Sequence, residues 1–218
     1  MGKWCWLRTT LVKRGKLWRN LWRQVSQYIY FIRSYEYALH DSHRMNLGHA
    51  LTTGKTRFIG LSNFNCQHIR QVLSIAKIRP TSLQIECHPH LSQKKLIRLA
   101  REAGIRVTAY SPLGGTSYIS LDMATPSDLL FDNPIIDGIS KRHNKTAAQV
   151  MLRWSIQRDT LPISKSSNLR RMHENRAIFD FYLTLEEVNA IDSLNRNHRY
   201  NDPGVFCEGM GTFCPIYE

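Results

Sequence analysis

From Gly54 onward the apolar positions fall into short runs separated by helical repeats. Thr56–Phe64 (TRFIGLSNF) is an apolar, partly β-branched run that predicts a strand ending in the turn-prone pair Ser62-Asn63. Asn65 then stands where a cap is expected, and Ile69, Val72, Leu73 and Ala76 recur at helical spacing until Arg79-Pro80. Ser82–Cys87 predicts a second strand, Ser92 a helix start and Gly104 its end, and Ile105–Tyr110 a third strand closed by Ser111-Pro112. After a Gly/Ser/Thr/Asp-rich loop over 112–127, helical patterns return at Asp132–His143 and Thr146–Gln157. The latter opens with the capping box Thr146-x-x-Gln149. Thr160–Ser164 predicts a fourth strand, Leu169–Ile178 a helix, and Thr184-x-x-Glu187 caps a last one. The tail Asn195–Glu218, rich in Gly, Pro and aromatics, reads as an ordered arm.

Strands alternating with helices imply an α/β fold with a parallel sheet. No G-x-G-x-x-G follows any of the strands, which excludes the ordinary dinucleotide-binding fingerprint. The other parallel architecture is the (β/α)8 barrel, whose chemistry lies on the loops after the strands. Polar clusters stand at those places: Ser62-Asn63, His88-Pro89, Ser111-Pro112 and Lys165-Ser166.

Residues 1–44 follow a different pattern. Trp18 and Trp22 with Leu17, Leu21 and Val25 oppose Lys16, Arg19 and Arg23, which predicts a basic amphipathic helix from about Leu17 to Ile32. Nine of the chain's 30 basic residues and two of its 17 acidic ones lie here, so this fifth of the chain carries +7 of the net +13. Three readings follow: a surface for anionic lipid or nucleic acid, an Arg-rich presequence, or a segment foreign to the fold that follows. The break in pattern favours the last, so the expected division is 1–44 and 45–218.

Composition narrows the rest. With 42% hydrophobic and 22% charged residues among 218, the chain has the makings of a packed core. No apolar run approaches the ~20 residues of a membrane span, and the N-terminus lacks the features of a secretory signal. Five cysteines with no C-x-x-C spacing point to a reducing, cytoplasmic setting and away from structural zinc. Cys87, His88 and His90 are the nearest approach to a ligand set but lack a fourth partner, so no metal is expected.

Four strand-end motifs, GKTRFIGLSNF, LQIECHPHL, VTAYSPLG and SKSSNLRRMHEN, in this order and spacing resemble the second half of the aldo-keto reductases. The likeness runs over 45–218, about four-fifths of the chain, and the tail YNDPGVFCEG…FCPIYE is similar to fungal members acting on aldehydes and sugars. The resemblance implies a partial (β/α)8 barrel retaining about the last four βα units, with NADP extended across the strand ends and a small carbonyl compound as substrate. It places Ser62, Asn63 and Gln84 at the nicotinamide carboxamide, Tyr110 stacked on the ring, and Ser111 and Leu113 over the pyrophosphate. Lys165, Ser166 and Arg171 would hold the adenosine 2′-phosphate, and Glu174 and Asn175 the adenine. Lys165 beside a helix start and the planar fork of Arg171 suit a phosphate on physical grounds as well. Ser164, Leu83 and His90 depart from the family's usual Pro, Asn and Tyr.

The family's proton donor is a Tyr acidified by a Lys–Asp pair, with a His orienting the carbonyl. All four come from the first strand ends of the family, and nothing in 1–44 (Tyr28, Tyr30, Tyr35, Tyr37, Lys16, Asp41, His40 or His43) stands in a matching context. No catalytic residue is assigned, and the chain is expected to be a truncated, inactive form or an NADPH-binding pseudoenzyme. Four units would also leave open strand edges that invite self-association. The two best-placed cations point at one small phosphate, so a nucleic-acid partner is not expected.

Overall fold

The computed structural model describes residues 29–33, 54 and 56–202, with the backbone alone for 29–33. Five strands form one sheet: β1 (Ile29–Arg33), β2 (Phe58–Ser62), β3 (Ser82–Glu86), β4 (Arg106–Tyr110) and β5 (Thr160–Ile163). Every pairing is parallel and the order is β1-β2-β3-β4-β5. Neighbours in sequence are thus neighbours in the sheet, with no point where the order reverses. That is the wall of a (β/α)8 barrel, since a doubly wound sheet must contain such a reversal.

Four of the strands are those expected, each one to four residues shorter than its apolar run. The fifth corrects the sequence reading. Residues 29–32 were expected to end a helix, yet Ile29–Arg33 pairs with Phe58–Ser62 along its whole length. Ile-Tyr-Phe-Ile is β-branched and aromatic, and pairing with a strand about thirty residues away overrides the helical spacing around it. The rest of the expected helix, and the tail beyond 202, lie outside the described residues.

The helices are α1 (Cys66–Ile75), α2 (Lys94–Glu102), α3 (Pro134–His143), α4 (Ala147–Gln157), α5 (Leu169–Arg176) and α6 (Leu185–Asp192). Local chemistry sets most of their ends. Asn65 Oδ1 accepts from His68 N at 2.9 Å, and the capping boxes at Thr146/Gln149 and Thr184/Glu187 are both closed. Gly104, at φ 74°, takes the left-handed turn that ends α2. The start of α2 differs from expectation. Ser92 is buried and its N–H goes to Asn195 Oδ1 at 2.9 Å, so α2 begins two residues later behind Gln93, which has no side-chain cap. A partner 103 residues away has displaced the local one.

β3 is buried on both faces, with Leu83 and Ile85 in the core and only Gln84 partly exposed. This is the mark of a parallel strand covered by helices on one side and by further chain on the other. Leu61, Phe64, Ile69, Ala109, Ile136, Ile139, Met151 and Trp154 complete the centre of the core. Full burial of a side chain of that size stabilises by about 1.5–3 kcal/mol. At the sheet's far side β5 pairs with β4 alone among the described residues, and Leu161 and Ile163 are exposed there. No described helix is long and apolar enough to cross a membrane.

Candidate active site at the carboxyl ends of the strands

Parallel pairing brings the carboxyl ends of β2, β3 and β4 side by side, with Ser62 opposite Gln84 and Glu86 opposite Tyr110. Four of the expected site residues meet here. Asn63 N donates to the Gln84 carbonyl at 2.9 Å, and the Tyr110 hydroxyl donates to Asn63 Oδ1 at 2.9 Å. Ser62 and Asn63 are buried, whereas Gln84 and Tyr110 are half-buried and can still meet a ligand. Asn63 adopts φ 62° and Ser111 φ 52°. Both are left-handed positions that L-residues adopt at a cost, and Asn bears it best of the non-glycines. Two such residues, just beyond β2 and β4 on either side of β3, mark backbone held in place by its surroundings.

Ser111 leads into the loop that continues through Leu113. The turn closes by a bond from Gly114 N to Ser111 O at 2.9 Å, and the Ser111 hydroxyl lies 2.8 Å from that of Tyr118. Leu113 is half-buried against the core. Short 3-10 turns at Gly115–Ser117, Ile119–Leu121 and Pro126–Asp128 give this loop more order than its composition suggests.

The remaining expected residues lie where β5 hands over to α5. Tyr110 pairs with Ile163, so Ser164 and Lys165 project beyond the same end of the sheet. Lys165 and Arg171 are exposed, and neither forms an ion pair among the described residues. By contrast Arg170 Nε donates to Glu174 Oε1 at 2.8 Å, so Glu174 is partly engaged by its own helix. Asn175 Nδ2 donates to Ser164 Oγ at 3.2 Å. A Pro at 164 could not accept that bond, so this departure from the family pattern anchors Asn175.

The helix start was expected to offer free N–H groups to an anion. The Asn168 carboxamide already accepts from Arg171 N at 3.2 Å, and Ser166 Oγ accepts from Asn168 N at 3.1 Å. Anion capture here therefore falls mainly to the two cationic side chains. The far end of α5 is fixed from α4: Gln149 Nε2 donates to the carbonyls of Glu174 and Ala177, and Arg153 Nη1 to that of Ile178.

A second group of residues at this end of the sheet was not singled out from sequence. Glu86 is fully buried, and its carboxylate accepts from His88 Nε2 at 3.0 Å, Tyr200 N at 2.9 Å and Asn201 N at 3.0 Å. Arg196 donates to Asp128 Oδ1 at 2.8 Å and to His90 Nδ1 at 2.9 Å. Arginine has no acceptor, so His90 Nδ1 carries its lone pair and the ring is neutral. Burial, with Arg196 and His88 nearby, pushes His90 down to about 4. The signal was an acid inside the apolar run SLQIE, since a charge buried in a strand must have partners. Cys87, His88 and His90 do not converge on a metal, and no His/Cys/Asp/Glu group among the described residues could hold one.

Comparison with known proteins gives this geometry a family. The aldo/keto reductase family model matches residues 39–196. A probable NAD(P)H-dependent D-xylose reductase of Aspergillus clavatus is 42% identical over 163 residues, 74% of this chain and 49% of that protein. Aldo-keto reductase family 1 member A1 of Mus musculus is 40% identical over 156 residues, 72% of this chain and 47% of that protein. Among solved structures, a Bombyx mori aldo-keto reductase in complex with NADP superposes with TM-score 0.74 at 32% identity, covering 88% of this chain and 64% of that one. The aldose reductase of Schistosoma japonicum gives TM-score 0.62 at 35% identity, covering 73% and 48%. The chain belongs to the aldo/keto reductase family. It spans about half the length of the curated relatives it matches.

Proposed function

We propose that residues 45–218 form the cofactor-holding part of an NADP-dependent reductase acting on aldehyde or sugar carbonyls. The carrying observation is the preassembled strand-end cluster of Ser62, Asn63, Gln84 and Tyr110, where a half-buried aromatic face stands beside amide and hydroxyl groups. Such a set fits a flat ring bearing a carboxamide. At the other end of the site, Lys165 and Arg171 carry charge that no carboxylate neutralises among the described residues, which fits a phosphate. The similarity to a probable NAD(P)H-dependent D-xylose reductase of Aspergillus clavatus and to a Bombyx mori aldo-keto reductase in complex with NADP supports the substrate class and the cofactor.

When bound, the cofactor supplies a hydride. This chain's own residues would orient and neutralise it: Ser62 and Asn63 would hold the carboxamide, Tyr110 would offer its ring to the nicotinamide, Ser111 and Leu113 would cover the diphosphate, and Lys165, Ser166 and Arg171 would hold the 2′-phosphate. Glu174 and Asn175 would bind the adenine. No residue is assigned to proton transfer, because no Tyr, Lys, Asp or His stands in the family's catalytic context. Our reading is therefore that the 218-residue chain binds NADPH without turnover.

The test is titration of the purified chain with NADPH, followed by tryptophan fluorescence, together with NADPH oxidation in the presence of D-xylose or glyceraldehyde. Saturable binding without oxidation above background is expected. Absence of binding would overturn the cofactor assignment, and turnover would overturn the assignment of no proton donor.

A further inference from the structure

Tyr118 lies seven residues beyond Ser111, with the two hydroxyls 2.8 Å apart. Its ring stacks on Tyr200, the centroids 5.5 Å apart and the planes inclined by 19°. Tyr200 is held from two sides. Its N–H and that of Asn201 donate to the two oxygens of the buried Glu86 carboxylate, and its ring packs on His88 at 5.0 Å. Gly115 leaves so little room that an added Cβ would stand 3.0 Å from the Tyr200 ring. The face, height and hydroxyl position of Tyr118 are therefore set by residues 196–201 and by β3.

A serine hydroxyl has one proton and two lone pairs. If Ser111 accepts from Tyr118, its own proton is left for an outside acceptor. If it donates to Tyr118, nothing remains for an anion. The surroundings favour the first direction. Tyr118 is buried and, among the described residues, its hydroxyl has Ser111 Oγ as its hydrogen-bond partner. The phenolic proton that must find an acceptor therefore goes to Ser111, which is itself half-exposed. Burial pushes the Tyr118 phenol up to about 12, so the proton is present at neutral pH. The backbone of Ser111 is meanwhile locked at φ 52°.

We propose that Tyr118 is a positioning residue for dinucleotide binding, orienting the Ser111 hydroxyl as a donor to the cofactor's diphosphate. The proposal rests on the assignment of Ser111 to the diphosphate made above. Diphosphate is common to NADPH and NADH, whereas the 2′-phosphate belongs to NADPH alone, and this separates the role from that of Lys165 and Arg171.

The experiment measures dissociation constants for NADPH and NADH with the full chain, its Tyr118→Phe and Ser111→Ala variants, and the double variant. Tyr118→Phe keeps the stacked ring and removes only the hydroxyl. Both dinucleotides are expected to bind ~5- to 10-fold more weakly to it, the scale of one hydrogen bond. Ser111→Ala should match that loss, and the double variant should be no weaker than Ser111→Ala. A purely structural role would lower the melting temperature or the bound stoichiometry and leave the dissociation constants of the folded fraction unchanged. Unchanged affinity in Tyr118→Phe, a loss confined to NADPH, or additive losses would each overturn the proposal. If the unaltered chain binds neither dinucleotide, the functional reading fails and the proposal with it. If it binds and Tyr118→Phe binds equally well, the proposal alone fails.

Discussion

The Tyr110 hydroxyl donates to Asn63 Oδ1 at 2.9 Å, tying the end of β4 to the residue just beyond β2 across the intervening β3. Asn63 in turn donates its N–H to the carbonyl of Gln84, midway along β3. The three strands are thus cross-linked by polar groups before any ligand arrives. Pre-ordering of this kind reduces the entropy lost on binding.

The strain at Asn63 separates backbone from side chain. Asn63→Gly keeps the left-handed turn and loses the acceptor for Tyr110, while Asn63→Ala loses the acceptor and must also hold φ 62°. Asn63→Ala should therefore be less stable than Asn63→Gly by about 1 kcal/mol in urea titrations, and Tyr110→Phe should cost about 1 kcal/mol alone. Equal midpoints for Asn63→Gly and Asn63→Ala would show that the backbone relaxes out of the turn.

What was legible in the sequence, and what was not, divides by distance along the chain. The caps at Asn65, Thr146 and Thr184 are complete within four residues, so spacing reveals them. Strand β1 is decided by its partner β2, and the true start of α2 by Asn195, neither visible in a local window. The candidate site follows the same rule. Strand-end residues could be placed because strands end at recognisable turns. The Glu86–Tyr200–Tyr118 chain could not, because it joins residues 114 apart through backbone N–H groups that carry no sequence signature.

Removing the Glu86 carboxylate should release residues 196–201. Glu86→Ala leaves Tyr200 N and Asn201 N without their acceptor and is expected to cost about 3 kcal/mol. Glu86→Gln keeps one acceptor oxygen and should lose about half as much. Hydrogen exchange at the Tyr200 and Asn201 amides should accelerate in Glu86→Ala far more than exchange in α4. Uniform acceleration everywhere would place the effect in the core instead.

Acid should weaken the fold in two separate stages. His90 falls from an ordinary 6.5 to about 4, chiefly through burial, with the Arg196 and His88 charges adding and Asp128 opposing. An unfolded chain takes up this proton below pH 6.5 while the folded one refuses it until about 4, so stability falls as pH drops through that window. By linkage the loss is about 3 kcal/mol at most. Asp128 is held down to about 2 by the Thr125 N–H first, then by the Thr125 hydroxyl and Arg196. Its contribution is complete above 3.8 and is lost as pH falls through about 2. His90→Asn should flatten unfolding free energy between pH 6.5 and 4 and leave the lower stage in place. A profile unchanged in the upper window would reject His90 as its source.

Gly114 tests the loop that carries Ser111. It stands at φ 77°, and an added Cβ would lie 2.7 Å from Leu130 Cδ1, which is fully buried. Gly114→Ala meets both an unfavourable backbone and a side chain with little room to move. We expect a loss of about 2–3 kcal/mol together with weaker dinucleotide binding, read by urea midpoint and fluorescence titration. Stability lost with affinity intact would mean that the loop does not reach the cofactor.

Discrimination between the two dinucleotides should reside in Lys165 and Arg171. Neither has a carboxylate partner among the described residues, so removing either charge breaks no ion pair seen there and should leave the melting temperature unchanged. A charge-assisted hydrogen bond contributes about 1.5–3 kcal/mol. Lys165→Met and Arg171→Gln should therefore each weaken NADPH by roughly 10- to 100-fold and leave NADH within about twofold. Arg170→Gln serves as the contrast. Its guanidinium already pairs with Glu174 on the same helix, 88% exposed, so its removal should alter neither affinity by more than about twofold. Equal losses of NADPH and NADH in Lys165→Met would move that side chain from the 2′-phosphate to the diphosphate. Rising salt should close the gap between the two dinucleotides in the unaltered chain, because screening acts on the one phosphate that distinguishes them.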